Sequence, residues 1–317
     1  MFFVYEPPVS SQAAPRVVLF KQDDPLSPKA SYSAAQKDLF NAGERGGFFS
    51  PKPQSDATLC VEIARLAYCR KEPDFGFDQD RIQKILGGIG FASCQFFESP
   101  GRPQGKGIHS FLALGEDWET KHRLAVVTFR GTDVKDASNM VYDFDFELQA
   151  WDGPGKVHRG FANALNEVHS RLDQAIRDTG ECRLLYTGHS LGAALATLMA
   201  GLRRPDALYT FGSPRVGDAT FVEALKDVKS YRYVDCCDVV ARVPPEIEYR
   251  HLGEPYYIKR DRKVTFNPSE RSIVRDQASA VAEYVARYAF WKGNERMREL
   301  ADHSPINYVW PVKASQP

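Results

Sequence analysis

The stretch Arg183-Leu-Leu-Tyr-Thr-Gly188-His-Ser190-Leu-Gly192-Ala-Ala-Leu-Ala-Thr-Leu198 reads as an apolar strand, a turn bounded by two glycines and an apolar helix. Its centre is GxSxG. Between a strand and a helix that pattern is the nucleophile elbow: the glycines allow a sharp bend, Ser190 projects its hydroxyl above the sheet, and Ala193, Ala194 and Ala196 let the helix pack close. The N–H of Leu191 then falls at a helix start, where backbone donors have no intrahelical acceptor and can receive an oxyanion. Glycine and serine are common enough here to produce the pattern by chance about 0.1 times, so the flanking strand and helix carry the reading. The run from Leu184 to Leu202 has the length of a membrane span. Gly188, His189 and Ser190 inside it would be penalised in a bilayer, and the strand–turn–helix accounts for the same residues.

Around the elbow, strands are predicted at Phe91–Phe97, Ile108–Leu114, Leu124–Phe129, Ala207–Phe211 and Tyr231–Asp235, with helices over residues 162–178, 191–202 and 218–227. Strands alternating with helices specify the α/β class, a mostly parallel central sheet with helices on both faces. Asp56 and Asp78 stand where each would cap an amphipathic helix, and Gly87-Gly88 stops the second. Glu254–Arg260 and Lys263–Phe266 predict a hairpin, and Ser272–Phe290 a helix carrying Val274, Ala278, Val281 and Val285. Residues 1–54, rich in Pro, Gly, Ser and Gln, are expected to form an extended N-terminal arm, and residues 55–317 a single domain.

Lys plus Arg and Asp plus Glu each number 41 in 317 residues, so the formal net charge is zero, and no run of five like charges occurs. Generic nucleic-acid binding is excluded. The six cysteines show none of the CxxC spacings of metal or redox motifs, and no cofactor or metal is expected. Cys236 and Cys237, adjacent on a strand, would point to opposite faces. The first residues lack a basic n-region and are interrupted by Pro7 and Pro8, so no Sec-type leader is expected. With unpaired cysteines, that predicts a cytoplasmic protein or one exported without a leader.

A serine hydroxyl needs a base, and a hydrolase of this type supplies the acid and the histidine after the serine. After Ser190 only His251 and His303 remain. His303, in the loop Asp302-His-Ser-Pro305, is the better base; His251 stands beside a strand. Asp238 follows the strand Tyr231–Asp235, near the carboxyl end where sites gather in open α/β sheets, with Asp235 as its rival. Phe129-Arg-Gly-Thr-Asp133 ends an apolar strand in a glycine turn, and Thr132 there can offer both its N–H and its hydroxyl to an oxyanion.

Taken together, Phe129-Arg-Gly-Thr-Asp133, Val157-His-Arg-Gly-Phe161, Thr187-Gly-His-Ser-Leu-Gly-Ala193, Phe211-Gly-Ser-Pro-Arg-Val-Gly217, Asp238-Val-Val-Ala-Arg-Val-Pro-Pro245 and His303 resemble the class 3 lipases, the fungal-type family of the α/β-hydrolase fold. The likeness spans about residues 55–310, with the motifs in the family's order. It implies Ser190 as nucleophile, Asp238 as orienting acid, His303 as base, and Thr132 with the Leu191 amide as oxyanion hole. It also implies a lid between Thr132 and Val157, with a short helix expected near Lys135–Tyr142. Val134, Met140, Val141 and Phe144 would cover an acyl groove and meet a lipid–water interface on opening. The expected activity is that of a serine carboxylic ester hydrolase, a triacylglycerol lipase or carboxylesterase whose partners are ester or lipid substrates. A phospholipase A1 or a feruloyl-type esterase would use the same triad. A non-catalytic interaction protein on the same scaffold would leave Ser190 unreactive to a fluorophosphonate.

Overall fold

The elbow strand lies at the middle of the molecule, with parallel neighbours on both sides. In the computed structural model, residues 32–50, 52–71, 76–99, 107–117, 120–132 and 146–315 are described. Among them the strands are β1 (Phe91–Glu98), β2 (His109–Glu116), β3 (Arg123–Phe129), β4 (Leu148–Ala150), β5 (Lys156–His158), β6 (Arg183–His189), β7 (Ala207–Phe211), β8 (Ser230–Asp235), β9 (Pro255–Ile258) and β10 (Val264–Phe266). The helices are α1 (Gln36–Phe40), α2 (Asp56–Leu66), α3 (Gln79–Gly87), α4 (Arg159–Asn166), α5 (His169–Asp178), α6 (Leu191–Leu202), α7 (Ala219–Ala224), α8 (Glu270–Arg287), α9 (Arg298–Asp302) and α10 (Pro305–Ala314).

Eight strands form one sheet in the order β1-β2-β3-β6-β7-β8-β9-β10. The run β3-β6-β7-β8-β9 is parallel, and β1, β2 and β10 add antiparallel edges. Alternation along β6 divides the core into two halves: Leu185 joins Leu59, Ile63 and Tyr308 on one face, while Leu184 and Tyr186 join Phe161, Leu172 and Leu198 on the other. This is the α/β architecture the sequence predicts, with helices on both faces of the sheet.

Several local readings differ from expectation. Ser55, not Asp56, caps α2 through a reciprocal pair with Thr58, which frees Asp56 to pair with Arg183 at the start of β6. The helix expected over residues 162–178 is two, α4 and α5, because Glu167 and Val168 tighten into bonds to the carbonyls three residues back. On α8 the row Val274, Val281, Val285 faces solvent, whereas Ala280 and Tyr284, on a row turned to one side, are buried. Both rows have helical spacing, and only packing distinguishes them. Residues 32–50, read as part of an arm, place Leu39 and Phe49 in the same core as α2; residues 1–31 lie outside the described residues.

Behind the carboxyl end of β8 the sheet buries charge. Asp235 takes both oxygens to Arg262 at 2.9 Å, with side-chain exposures of 0% and 9%. Removing one partner of such a pair strands the other in a dry interior. Arg262→Met is therefore expected to lower stability by about 3–5 kcal/mol, read as a fall in the urea midpoint at unchanged slope.

Candidate active site

β6 ends at His189 and α6 begins at Leu191, so Ser190 alone makes the turn, with φ 59° and ψ −130°. A side-chain-bearing residue is strained there, and its surroundings hold it. Ser190 N–H donates to Phe211 O at 3.0 Å, and Ala193 N–H returns to Ser190 O at 3.0 Å. The glycines provide clearance. A Cβ on Gly188 would lie 2.3 Å from the Gly192 carbonyl carbon, and one on Gly192 would lie 2.0 Å from Phe129 O.

Asp238 and His303 converge on the serine. His303 Nδ1 lies 3.0 and 2.9 Å from the two oxygens of Asp238, and His303 Nε2 lies 2.9 Å from Ser190 Oγ. A carboxylate only accepts, so Nδ1 carries the proton and Nε2 is left to accept from the serine hydroxyl. All three residues are buried. Burial alone would raise the Asp238 carboxyl, but His303 and the Tyr308 hydroxyl outweigh it and hold it below the usual carboxylate range. Asp238 also accepts from Val240 N–H at 2.8 Å, so its orientation is fixed from the backbone side.

Four residues that sequence reasoning did not assign, Tyr308, His189, Tyr68 and Cys237, complete the arrangement. Tyr308 on α10 donates to Asp238 Oδ2 and accepts from Asp235 N–H at 3.0 Å. His189 Nε2 lies 2.7 Å from His303 O, and its Nδ1 lies 2.8 Å from the Tyr68 hydroxyl. The carbonyl can only accept, so Nε2–H donates to it and Nδ1 accepts from Tyr68. Burial, with His303 close by, pushes His189 well below the ordinary histidine value, which leaves it neutral and a fixed donor. Cys237 N–H donates to Asp302 Oδ2 at 2.9 Å, so the residue preceding the acid is bonded to the residue preceding the imidazole. No signal in one sequence marks these partners: Tyr68 and His189 are 121 positions apart, and a tyrosine on a helix reads as packing.

The rival assignments resolve by location. Asp235 belongs to the Arg262 pair, and His251 Nε2 donates to Ala241 O at 2.9 Å on the turn after β8. Gly131 lies against the elbow, where a Cβ would meet Tyr68 Oη at 2.2 Å and Ser190 Cβ at 3.1 Å. Thr132 follows that glycine directly in the chain, and Leu191 is the first residue of α6. Val134, Met140, Val141 and Phe144, and the helix expected near Lys135–Tyr142, lie outside the described residues. Cys236 and Cys237 occupy a turn, not a strand, and their sulfurs approach to 3.7 Å instead of pointing apart. With Asp302 they are the one group among the described residues that could offer three metal-ligand atoms. The Asp302 carboxylate is already committed to Arg298, Tyr32 and the Cys237 amide.

Residues 126–248, which include Ser190 and Asp238, match the family described as lipase (class 3). A secreted mono- and diacylglycerol lipase of Fusarium solani is 35% identical over 166 residues, 48% of this chain and 48% of that protein. A lipase of Rhizomucor miehei is 32% identical over 168 residues, 47% and 45% of the two chains. In a solved structure, that lipase with its propeptide superposes with a TM-score of 0.50 at 27% identity over 66% of this chain and 68% of the other. The chain spans about half the length of the curated relatives it matches. The expectation of a cytoplasmic or leaderless protein is corrected by the Fusarium relative, which is named as secreted. All six cysteines are free, and Cys60, Cys69, Cys236 and Cys237 are buried.

Two buried neutral histidines make the native state sensitive to acid. His251, like His189, is pushed well below the ordinary value, by burial first and then by Arg232 and Arg215. Below about pH 6.5 the unfolded chain binds protons that the native chain refuses, so stability is full above that pH and falls as pH drops, by about 1.4 kcal/mol per pH unit per histidine. The Asp238 contribution is lost only lower, within the carboxylate range. The urea midpoint is expected to decline from about pH 6.5 downward, with His251→Asn flattening the slope.

Proposed function

We propose that this chain, which matches the class 3 lipase family over residues 126–248, is an enzyme of that family and hydrolyses carboxylic esters of acylglycerols through Ser190, His303 and Asp238. The observation that carries the reading is the continuous path from Ser190 Oγ through both ring nitrogens of His303 to Asp238, each contact near 2.9 Å. His303 Nε2 takes the hydroxyl proton as Ser190 Oγ attacks the ester carbonyl, forming a tetrahedral oxyanion. Asp238 stabilises the imidazolium, and the Leu191 and Thr132 donors receive the negative oxygen. His303 then returns the proton to the leaving alcohol, and water enters by the same route to release the acid. The acylglycerol assignment is supported by the relatives, named for mono- and diacylglycerol and for triacylglycerol.

The test is a fluorophosphonate adduct mapped by peptide mass, followed by a chain-length series of p-nitrophenyl esters with acylglycerol, phospholipid and feruloyl esters alongside. One adduct on Ser190 and preferential turnover of acylglycerol are expected. No adduct favours a non-catalytic scaffold, and preferential turnover of phospholipid or feruloyl ester moves the substrate class. Ser190→Ala is expected to lower kcat by about 10⁶, as for loss of a triad nucleophile, and Thr132→Val by about 10²–10³, as for loss of one oxyanion donor.

A further inference from the structure

We propose that α8 and the turn after it form a docking surface for a lipid bilayer carrying anionic headgroups, an inference that rests on the ester-hydrolase reading for its purpose and on its own geometry for its location. The inner side of α8 is anchored. Ala280 and Tyr284 are buried, the Tyr284 hydroxyl donates to Glu295 O at 2.7 Å, and Gln277 Nε2 donates to Cys236 O at 2.8 Å. Its outer side is apolar and exposed: Val274 is 58% exposed, Val281 and Val285 follow along the same side, and Phe290 just beyond the helix is 68% exposed. Trp291 and Met297 in the following turn are exposed as well. Single exposed hydrophobes are ordinary on a soluble surface, but a row continued by a tryptophan and a phenylalanine is not.

The charges beside the row are cationic. Arg271, Arg275, Lys292 and Arg296 are exposed and form no ion pair among the described residues. Two of the three acids on α8 are drawn elsewhere: Asp276 accepts from Tyr257 and from the Arg260 N–H, and Glu283 pairs with Arg260 and Arg287 at 3.0 and 3.1 Å. The third, Glu270, sits in the first turn. An apolar stripe flanked by unneutralised arginines and ended by an aromatic pair matches the chemistry of a helix lying in a headgroup layer. No helix among the described residues is long and apolar enough to cross a membrane, so the fit is to lying on one.

Placement supports the same occupant. α8 is bonded to Cys236, which follows the carboxyl end of β8 and precedes Asp238 by two residues, so the helix stands at the sheet edge that holds the triad. Docking there would hold the end of the sheet that carries Asp238 near the lipid surface. A second copy fits less well, because a two-fold contact through this face would confront its cations with their own duplicates.

The experiment uses full-length Ser190→Ala protein, which leaves vesicles intact, sedimented with phosphatidylcholine vesicles with and without phosphatidylglycerol. Binding is expected to favour the anionic vesicles and to weaken at high salt. Arg271→Glu/Arg275→Glu is expected to reduce it by about 10-fold or more, since each cation near such a surface contributes about a factor of five. Val281→Asp/Val285→Asp is expected to reduce it similarly. The same pairs of substitutions with Ser190 intact should hydrolyse a soluble short-chain ester at the unsubstituted rate, which shows that they fold. Equal binding to both vesicle types, or equal binding by the substituted proteins, overturns the proposal. So does a dimer in light scattering that Val281→Asp/Val285→Asp dissociates, or binding that emerges only after residues 1–31 are removed. Loss of ester hydrolysis in unsubstituted protein would instead refute the catalytic reading, because vesicle binding is read without turnover.

Discussion

The molecule depends on keeping one serine in a backbone conformation it would not choose. Ser190 occupies positive φ only because the space that side chains would fill at 131, 188 and 192 is occupied by neighbouring backbone and by the Tyr68 hydroxyl. Those contacts reach β3 through Phe129, β7 through Phe211 and α2 through the turn that carries Tyr68. A strained residue persists when its surroundings over-determine it. Here the elements that constrain it are the central strands of the sheet, so the fold and the geometry of the site are one packing problem.

Around that point the site is built in two tiers. The inner tier is the line of hydrogen bonds from Ser190 to Asp238. The outer tier ties the segments bearing its members together: Tyr308 spans Asp235 and Asp238, Cys237 is bonded to Asp302, and His189 grips the His303 carbonyl. Buried charges in this tier are matched, Asp235 with Arg262 and Asp302 with Arg298. Matched pairs of this kind fix orientation more than they add stability. Fixed orientation is what a proton relay between three side chains requires.

The elbow, the alternation of strands and helices and the edge hairpin were legible because each is local: a glycine turn, a period of two, a period near four. The acid and the base were legible through order, since few candidates follow the serine and the strand-end rule ranks them. What stayed hidden is non-local. Tyr68 and Tyr308 meet their partners across 121 and 70 residues, and nothing in their immediate neighbours separates a hydroxyl that orients a carboxylate from one that fills a gap. On α8 the valine row and the row through Ala280 and Tyr284 are equally periodic, and the tyrosine wins the interior because its hydroxyl finds Glu295 O there. Cys236 and Cys237 were misplaced for a simpler reason: alternation holds on a strand, and theirs ends one residue earlier.

The imidazole lies 113 residues beyond the serine and 65 beyond the acid. A ribosome therefore delivers an elbow whose hydroxyl is chemically idle. Only when the later segment has emerged and α10 has settled against α2 does the hydroxyl gain its proton acceptor. Order of synthesis thus acts as a safety catch, since a nascent or prematurely terminated polypeptide presents the bend without the imidazole that would accept its proton.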